Sequence, residues 1–139
     1  MLNDFLTFML CFLPDPRASV RKAAISAVEK IASNNTALQS LIFSRLDDAA
    51  TSVRSTAILA AGRICDPQDQ AIVRKLASFM EVADPSSQVA AQQALGRLLQ
   101  RGSKAPLPVL QELLWHPSPQ VRESANAALD RLPQQMQWL

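Results

Sequence analysis

The stretch Asp15–Ile31, DPRASVRKAAISAVEKI, has a similar counterpart 101 residues later at His116–Leu132, HPSPQVRESANAALDRL. Two further copies lie between them: DAATSVRSTAILAAGRI begins at Asp48, and DPSSQVAAQQALGRLL begins at Asp84. Internal repetition at a period of 20 to 50 residues indicates an array in which each unit packs on its neighbours. The chain is therefore predicted to be a repeat protein.

The four copies can be aligned in two ways. Aligned on their valines, Val20, Val53, Val89 and Val121, they are unevenly spaced, with the widest step before the third copy and the narrowest after it. Aligned on the basic residue near the end, at Lys30, Arg63, Arg97 and Arg131, they are almost evenly spaced. The third copy is two residues shorter between its valine and its arginine. We therefore expect its register to slip inside the helix.

Each copy begins with a helix start signal. Asp accepts the unpaired N–H groups of a first helical turn, and proline suits the first helical position because it lacks an N–H. The predicted N-caps are Asp15, Asp48, Asp84 and, as a weaker cap, His116; the predicted first helical residues are Pro16, Ala49, Pro85 and Pro117.

Apolar residues follow the caps of the first, second and fourth copies at helical spacing. Relative to the valine they stand at offsets 0, 4, 7, 8 and 11, which form one stripe on a helix of 3.6 residues per turn. In the first copy the predicted buried stripe is Val20, Ala24, Ala27, Val28 and Ile31. The small alanines allow a neighbouring helix to approach closely.

Shorter apolar segments separate these helices and are also predicted to be helical: Leu2–Leu13, Ala37–Leu46, Gln70–Val82 and Pro106–Trp115. No segment alternates with the period of a strand. The predicted fold class is all-α, an α/α superhelix of four helix pairs. We expect one domain over residues 1–139, with repeats at approximately 1–33, 34–65, 66–101 and 102–132 and a tail at 133–139.

Composition limits the function further. The net charge of +2 is too small to indicate nucleic acid by itself. Cys11 and Cys65 lie in apolar surroundings, which predicts buried free thiols in a reducing cytoplasm. The apolar run Phe5–Leu13 is too short for a membrane span, which needs about 20 residues. We expect a cytoplasmic protein without a membrane partner.

Catalytic constellations are absent from the sequence. His116 is the only histidine, there is no Tyr, and no Gly-rich loop is present, so neither a nucleophile–base pair nor a phosphate cradle can be assembled. The sequence predicts no enzyme, no cofactor and no metal site.

The pattern D-x-x-x-x-V-R-x-x-A-x-x-A-[LV]-x-x-[IL] resembles the HEAT repeat, particularly the short bacterial repeats of the phycobilisome-lyase type. Asp15, Arg21 and Ala24 show it in the first copy; the third copy has Ala90 in place of the arginine. The resemblance implies a right-handed solenoid that serves as a non-catalytic protein–protein interaction scaffold. Two alternatives stay open: a ligand-handling module such as a bilin-lyase-like subunit, and a nucleic-acid-binding protein similar to HEAT-like DNA glycosylases.

Two sets of residues are candidates for binding. The outward positions of the inner helices are predicted to line a concave surface that contacts a partner: Lys22, Ser26, Ser55, Leu59, Gln92, Glu123 and Asn126. The basic stripe, which consists of Lys30, Arg63, Arg97 and Arg131, either binds anions or offsets helix dipoles. Arg21, Arg54 and Arg122 are expected to pair with the aspartates of their own or adjacent repeats.

The first segment carries a terminal apolar patch that no earlier repeat in the sequence covers: Phe5, Phe8, Met9 and Phe12. A bare patch of this size is unfavourable in water. We expect it to mediate self-association, to bind a partner protein, or to pack on a further repeat if the chain is cut from a longer array.

Overall fold

The computed structural model describes residues 12–32, 35–81 and 84–132, and these residues form seven α-helices and no strand. The helices are α1 (Ala18–Glu29), α2 (Thr36–Phe43), α3 (Thr51–Ile64), α4 (Gln70–Ser78), α5 (Pro85–Gln100), α6 (Pro106–Leu113) and α7 (Pro119–Leu129); a short 3₁₀ turn, Phe79–Glu81, follows α4. The all-helical prediction is confirmed. The helix predicted at Leu2–Leu13 lies almost wholly outside the described residues.

The helices alternate between two layers. The four that carry the repeated pattern, α1, α3, α5 and α7, pack side by side in chain order and are called the inner helices below. The shorter helices α2, α4 and α6 pack against them and bury their own apolar residues, among them Leu38, Leu76 and Leu110. This alternation places one face of each inner helix in the core and leaves another face to solvent.

The predicted helix starts are correct in only one copy. The observed N-caps are Arg17, Ala50, Asp84 and Ser118, so only Asp84 caps its helix and only Pro85 is the first helical residue of those predicted. Asp15, Asp48 and His116 stand two residues before the cap. Each accepts the N–H group of the residue two positions on, which builds a side-chain turn leading into the helix.

The third inner helix corrects the valine alignment. The number of residues from the N-cap to the basic residue is the same in α3, from Ala50 to Arg63, as in α5, from Asp84 to Arg97. The helix is also continuous over Pro85–Gln100, so the expected slip of register does not occur. The residue equivalent to the buried Val53 is therefore Ser87, which is fully buried, whereas Val89 is 50% exposed. Gln88, not Ala90, occupies the position of the repeated arginine, and Ala90 is buried in the core.

Two inner helices approach each other closely at a glycine. A Cβ atom added to Gly62 of α3 would lie 2.7 Å from the Cβ of Ala94 in α5 and 2.8 Å from its Cα. Only a residue without a side chain permits this contact, because backbone and Cβ atoms cannot move aside. Ala94 therefore faces the preceding inner helix, and its equivalents in the other copies are Ala27, Ala60 and Ala128.

The apolar stripe of the first copy is only partly buried, contrary to the prediction. Ala24 and Val28 are buried, but Ala27 and Ile31 are exposed. Their equivalents Ala60 and Ile64 are buried. The reason is positional: among the described residues no inner helix precedes α1, so the side chains that face backwards along the stack meet no neighbouring inner helix.

Candidate interaction surface on the inner helices

A groove of about 550 Å³ lies between α3 and α5 on the exposed side of the inner helices. Apolar side chains of Leu59, Val89 and Ala90 line it, and Lys22 borders it from α1. Its other lining residues are small or polar: Ser52, Ser55, Thr56, Pro85, Ser86 and Gln93. We call this the central groove. Its mixture of apolar surface and hydroxyl groups suits a partner side chain better than a charged ligand.

The hydroxyl groups at the central groove are already partly engaged. Ser55 donates to the carbonyl of Thr51 at 3.0 Å, and Thr56 donates to the carbonyl of Ser52 at 2.9 Å. Each hydroxyl therefore keeps acceptor capacity towards the groove. Such a surface can accept hydrogen bonds from a partner backbone without presenting an unpaired donor.

A second groove continues from the first. Leu59 and Gln93 line both, and the second groove adds Arg63, Arg97 and Arg131 of the basic stripe. Arg63 forms an ion pair with Glu29 of α1, and the aliphatic part of Arg131 lies over Gly96. Arg97 is exposed, and its side chain makes no hydrogen bond or ion pair with the described residues. Arg97 is therefore the cation best placed to meet a ligand.

The repeated arginines link consecutive copies. Arg21 donates from Nε and Nη2 to the two carboxylate oxygens of Asp48, at 2.9 and 3.0 Å, and its Nη1 donates to the carbonyl of Asp15 at 2.7 Å. Arg54 repeats the arrangement with the Asp84 carboxylate at 3.1 Å and the Asp48 carbonyl at 2.8 Å. The predicted pairing is confirmed for both arginines. Their role is to hold neighbouring loops together.

Hydrogen bonds lower the pKa of both acids. Burial alone would raise the pKa of Asp48, but hydrogen bonds from Arg21 and from the Ala50 N–H outweigh it and leave the pKa below its ordinary value. The Ser87 hydroxyl, 2.6 Å from Asp84, is the largest cause of the lowered pKa of that carboxyl, and Arg54 adds to it. Both groups are thus carboxylates at neutral pH, as the pairing requires.

The pairing ends at the third copy. Gln88 stands at the arginine position there, and the next acid is replaced by His116. The Nδ1 of His116 accepts the Ser118 N–H at 3.0 Å, as an aspartate oxygen does elsewhere, and its Nε2 lies 3.6 Å from Glu81. At this boundary both the arginine and the acid are therefore replaced, so neither an unpaired cation nor an unpaired anion results.

No protein-family model and no curated protein matches the chain. Solved structures do. A designed armadillo repeat protein in complex with the peptide (KR)4 superposes with a TM-score of 0.57 over 92% of the chain at 25% identity. Computationally designed armadillo repeat proteins for modular peptide recognition give 0.57 over 92% at 24% identity, and an engineered protein gives 0.57 over 91% at 20%. The fold is a helical repeat solenoid.

The chain spans 61% to 64% of the length of these solved structures.

The residues predicted to line one concave surface lie in different places on the solenoid. Lys22, Ser55 and Leu59 line the central groove. Gln92 and Glu123 line a separate groove between α5 and α7. The remaining two, Ser26 and Asn126, are exposed and line neither groove.

Val89 and Gln93 line the central groove but were not among the residues predicted from the sequence. The valine alignment assigned Val89 to the core, and it therefore shifted the outward positions of α5 by a residue or more. The alignment on the basic residues would have found them, since its nearly even spacing is also the spacing of the observed N-caps.

Other predicted features are settled only in part. Phe5, Phe8 and Met9 of the terminal apolar patch lie outside the described residues, as does Cys11. Phe12 is half-buried and lines an apolar groove on α1. Cys65 is a buried free thiol, and its burial raises its pKa. Among residues 12–32, 35–81 and 84–132 no cluster of potential metal ligands occurs, and none of their helices is long and apolar enough to cross a membrane.

Proposed function

We propose that the chain is an interaction scaffold of the HEAT type, which binds an extended peptide segment of a partner protein along its inner helices. The observation that carries the proposal is the continuity of the central groove with the groove at Arg97. A designed solenoid of similar fold was solved in complex with a peptide, which supports a ligand of this kind.

The chemistry of the two grooves defines the peptide. An apolar side chain can contact Leu59 and Val89 in the central groove, and a carboxylate one or more residues away can pair with Arg97. Arginine binds carboxylates through two parallel hydrogen bonds, which gives both affinity and orientation. The peptide bound by the designed protein is basic, whereas we expect this surface to prefer an acidic and apolar segment.

The two alternative functions have less support. Glu29 forms an ion pair with Arg63, and Asp130 is next to Arg131 in the chain. These acids interrupt the basic stripe, so it does not form a continuous track for phosphates. The grooves described above are open to solvent, whereas a small-molecule cofactor usually sits in a site that covers most of its surface.

Peptide binding can be measured by fluorescence anisotropy. We expect a fluorescein-labelled peptide (EL)4 to bind more tightly than (KR)4. Val89→Glu and Arg97→Glu should each weaken the binding of (EL)4 by about tenfold or more, because the first places a charge in the apolar groove and the second removes the carboxylate partner. Both residues are exposed, so the circular dichroism spectrum should be unchanged.

The control is Lys104→Glu, which makes the same charge change as Arg97→Glu at an exposed turn between α5 and α6. It should leave binding within about twofold of the wild type. Equal affinity for (EL)4 and (KR)4, or binding that survives both groove substitutions, would contradict the proposal.

A further inference from the structure

The boundary between the first and second repeats is held by contacts at three positions. The Arg21 side chain bonds Asp48 of the next repeat, Glu29 pairs with Arg63 of the next repeat, and Ala60 of the next inner helix is buried. Each position has an equivalent in the other repeats, in the register set by the basic stripe. The same positions can therefore be compared at the two ends of the described stack.

The last inner helix, α7, carries the residues that the earlier repeat contributes at such a boundary. Arg122, the equivalent of Arg21, is held by the carbonyls of His116 and Pro117 at 2.7 and 3.0 Å, both through Nη1. Its Nε and Nη2, the atoms that reach the next acid in the first repeat, have no acceptor among the described residues. Asp130, the equivalent of Glu29, is exposed, and its carboxylate likewise has no partner there.

The first inner helix, α1, and the turn before it carry the residues that the later repeat contributes. Asp15 is the equivalent of Asp48, and Lys30 is the equivalent of Arg63 and is exposed. Ala27 is the equivalent of Ala60 and is exposed as well. An apolar groove of about 340 Å³ runs along this face, and it is lined by Phe12, Ser19, Val20, Ala23, Ala24 and Ala27.

The charges at the two ends are complementary in the register of the internal boundary. Arg122 matches Asp15, and Asp130 matches Lys30, as Arg21 matches Asp48 and Glu29 matches Arg63. Asp15 is bonded by Arg17, whose side chain is 73% exposed. This does not exclude a second guanidinium, because Asp48 already contacts both Arg21 and Arg45.

We propose that a second molecule of this chain docks head to tail, with α7 of one molecule against α1 of the next. Arg122 then bonds Asp15, Asp130 pairs with Lys30, and the apolar groove at Ala27 is covered. Such an interface is heterologous, so a dimer still presents one end of each kind and the assembly grows into a ring or a filament. The proposal does not depend on the peptide-binding function, which rests on Leu59, Val89 and Arg97.

The test is sedimentation velocity on the full chain over a range of concentrations, with a charge exchange between the ends. The wild type should self-associate, and salt should weaken the association. Lys30→Asp opposes Asp130 with a like charge, and Asp130→Lys opposes Lys30. Each variant alone should associate at least about tenfold more weakly than the wild type.

An equimolar mixture of the two variants should restore association, because the aspartate introduced at position 30 of one variant then meets the lysine introduced at position 130 of the other. Lys104→Asp and Glu112→Lys are the matched controls. They make the same charge changes at exposed sites on a turn and on α6, and they should associate as the wild type does.

A wild-type chain that remains monomeric at every concentration overturns the proposal. Association that both end variants retain, or that the mixture fails to restore, also overturns it and places the contact on another face. The altered side chains are exposed and have no partner in the described residues, so the fold itself is not at risk.

Discussion

Arg21 and Asp48 form a two-pronged ion pair across the boundary of the first two repeats, although 27 residues separate them. The side chains are 13% and 4% exposed, so the pair is shielded from water. The Asp48 carboxylate accepts from Arg21, and its carbonyl accepts from Arg54, which also bonds Asp84 of the next repeat. Asp48 and Arg54 together therefore link three successive inner helices.

Asp48→Ala should destabilise the protein by about 3 kcal/mol, because it leaves a shielded guanidinium without its counter-charge. The adjacent Asp47 is the matched control. It is 72% exposed and pairs with Lys75 at the surface, so Asp47→Ala should cost less than about 0.5 kcal/mol. Urea denaturation of the two variants measures the difference; equal losses would contradict the role given to Asp48.

Stability should fall in acid. The pKa values of Asp48 and Asp84 are lowered in the folded protein relative to the ordinary value of 3.8, so the unfolded chain binds more protons in this range. Their contribution is complete above the unfolded-state pKa and is lost as the pH falls through the folded-state pKa. The urea midpoint should be level between about pH 7 and 5 and then decline. Asp48→Asn should reduce the steepness of that decline; an unchanged slope would exclude Asp48 as a cause.

The register of the third inner helix can be tested by one substitution at two valines. Val53→Asp places an unpaired charge in the core, and its cost is comparable to a total stability of roughly 5–15 kcal/mol, so this variant should not fold. Val89→Asp changes a half-exposed side chain and should alter stability by no more than about 0.5 kcal/mol. Circular dichroism with thermal melting distinguishes them. Loss of the fold in the Val89 variant would restore the valine alignment.

The close approach of α3 and α5 predicts different responses at two glycines. Gly62→Ala should destabilise by about 1–2 kcal/mol, because the new Cβ overlaps the backbone and Cβ of Ala94. Gly96→Ala meets only the flexible side chain of Arg131 and gains helix propensity, so it should be neutral or stabilising by up to about 1 kcal/mol. Chemical denaturation of both variants measures this contrast, and similar losses would argue against the close contact between Gly62 and Ala94.

Much of the fold follows from local signals in the sequence. The helical spacing of the apolar residues and the period of about 34 residues predict alternating helices, because both depend on contacts between near neighbours in the chain. The pairs Arg21–Asp48 and Arg54–Asp84 were also predictable, since each arginine is followed by an aspartate at the start of the next copy.

The tertiary structure decided the register of the third repeat. Two alignments differ there by two residues: one keeps the valines in step, and the other keeps the basic residues in step, so repetition alone does not choose between them. The approach of Gly62 to Ala94 and the bonds that Ser87 and Asp84 make with Arg54 fix the rotation of α5. That rotation turns Val89 outward.

Only part of the candidate surface could therefore be predicted from the sequence. Lys22, Ser55 and Leu59 were found because the first two repeats align without ambiguity, whereas Val89 and Gln93 depended on the rotation of α5. Sequence patterns determine which residues share a helix face. Which face meets the neighbouring helix is decided by packing between residues far apart in the chain, and that packing also determines which face remains for a partner.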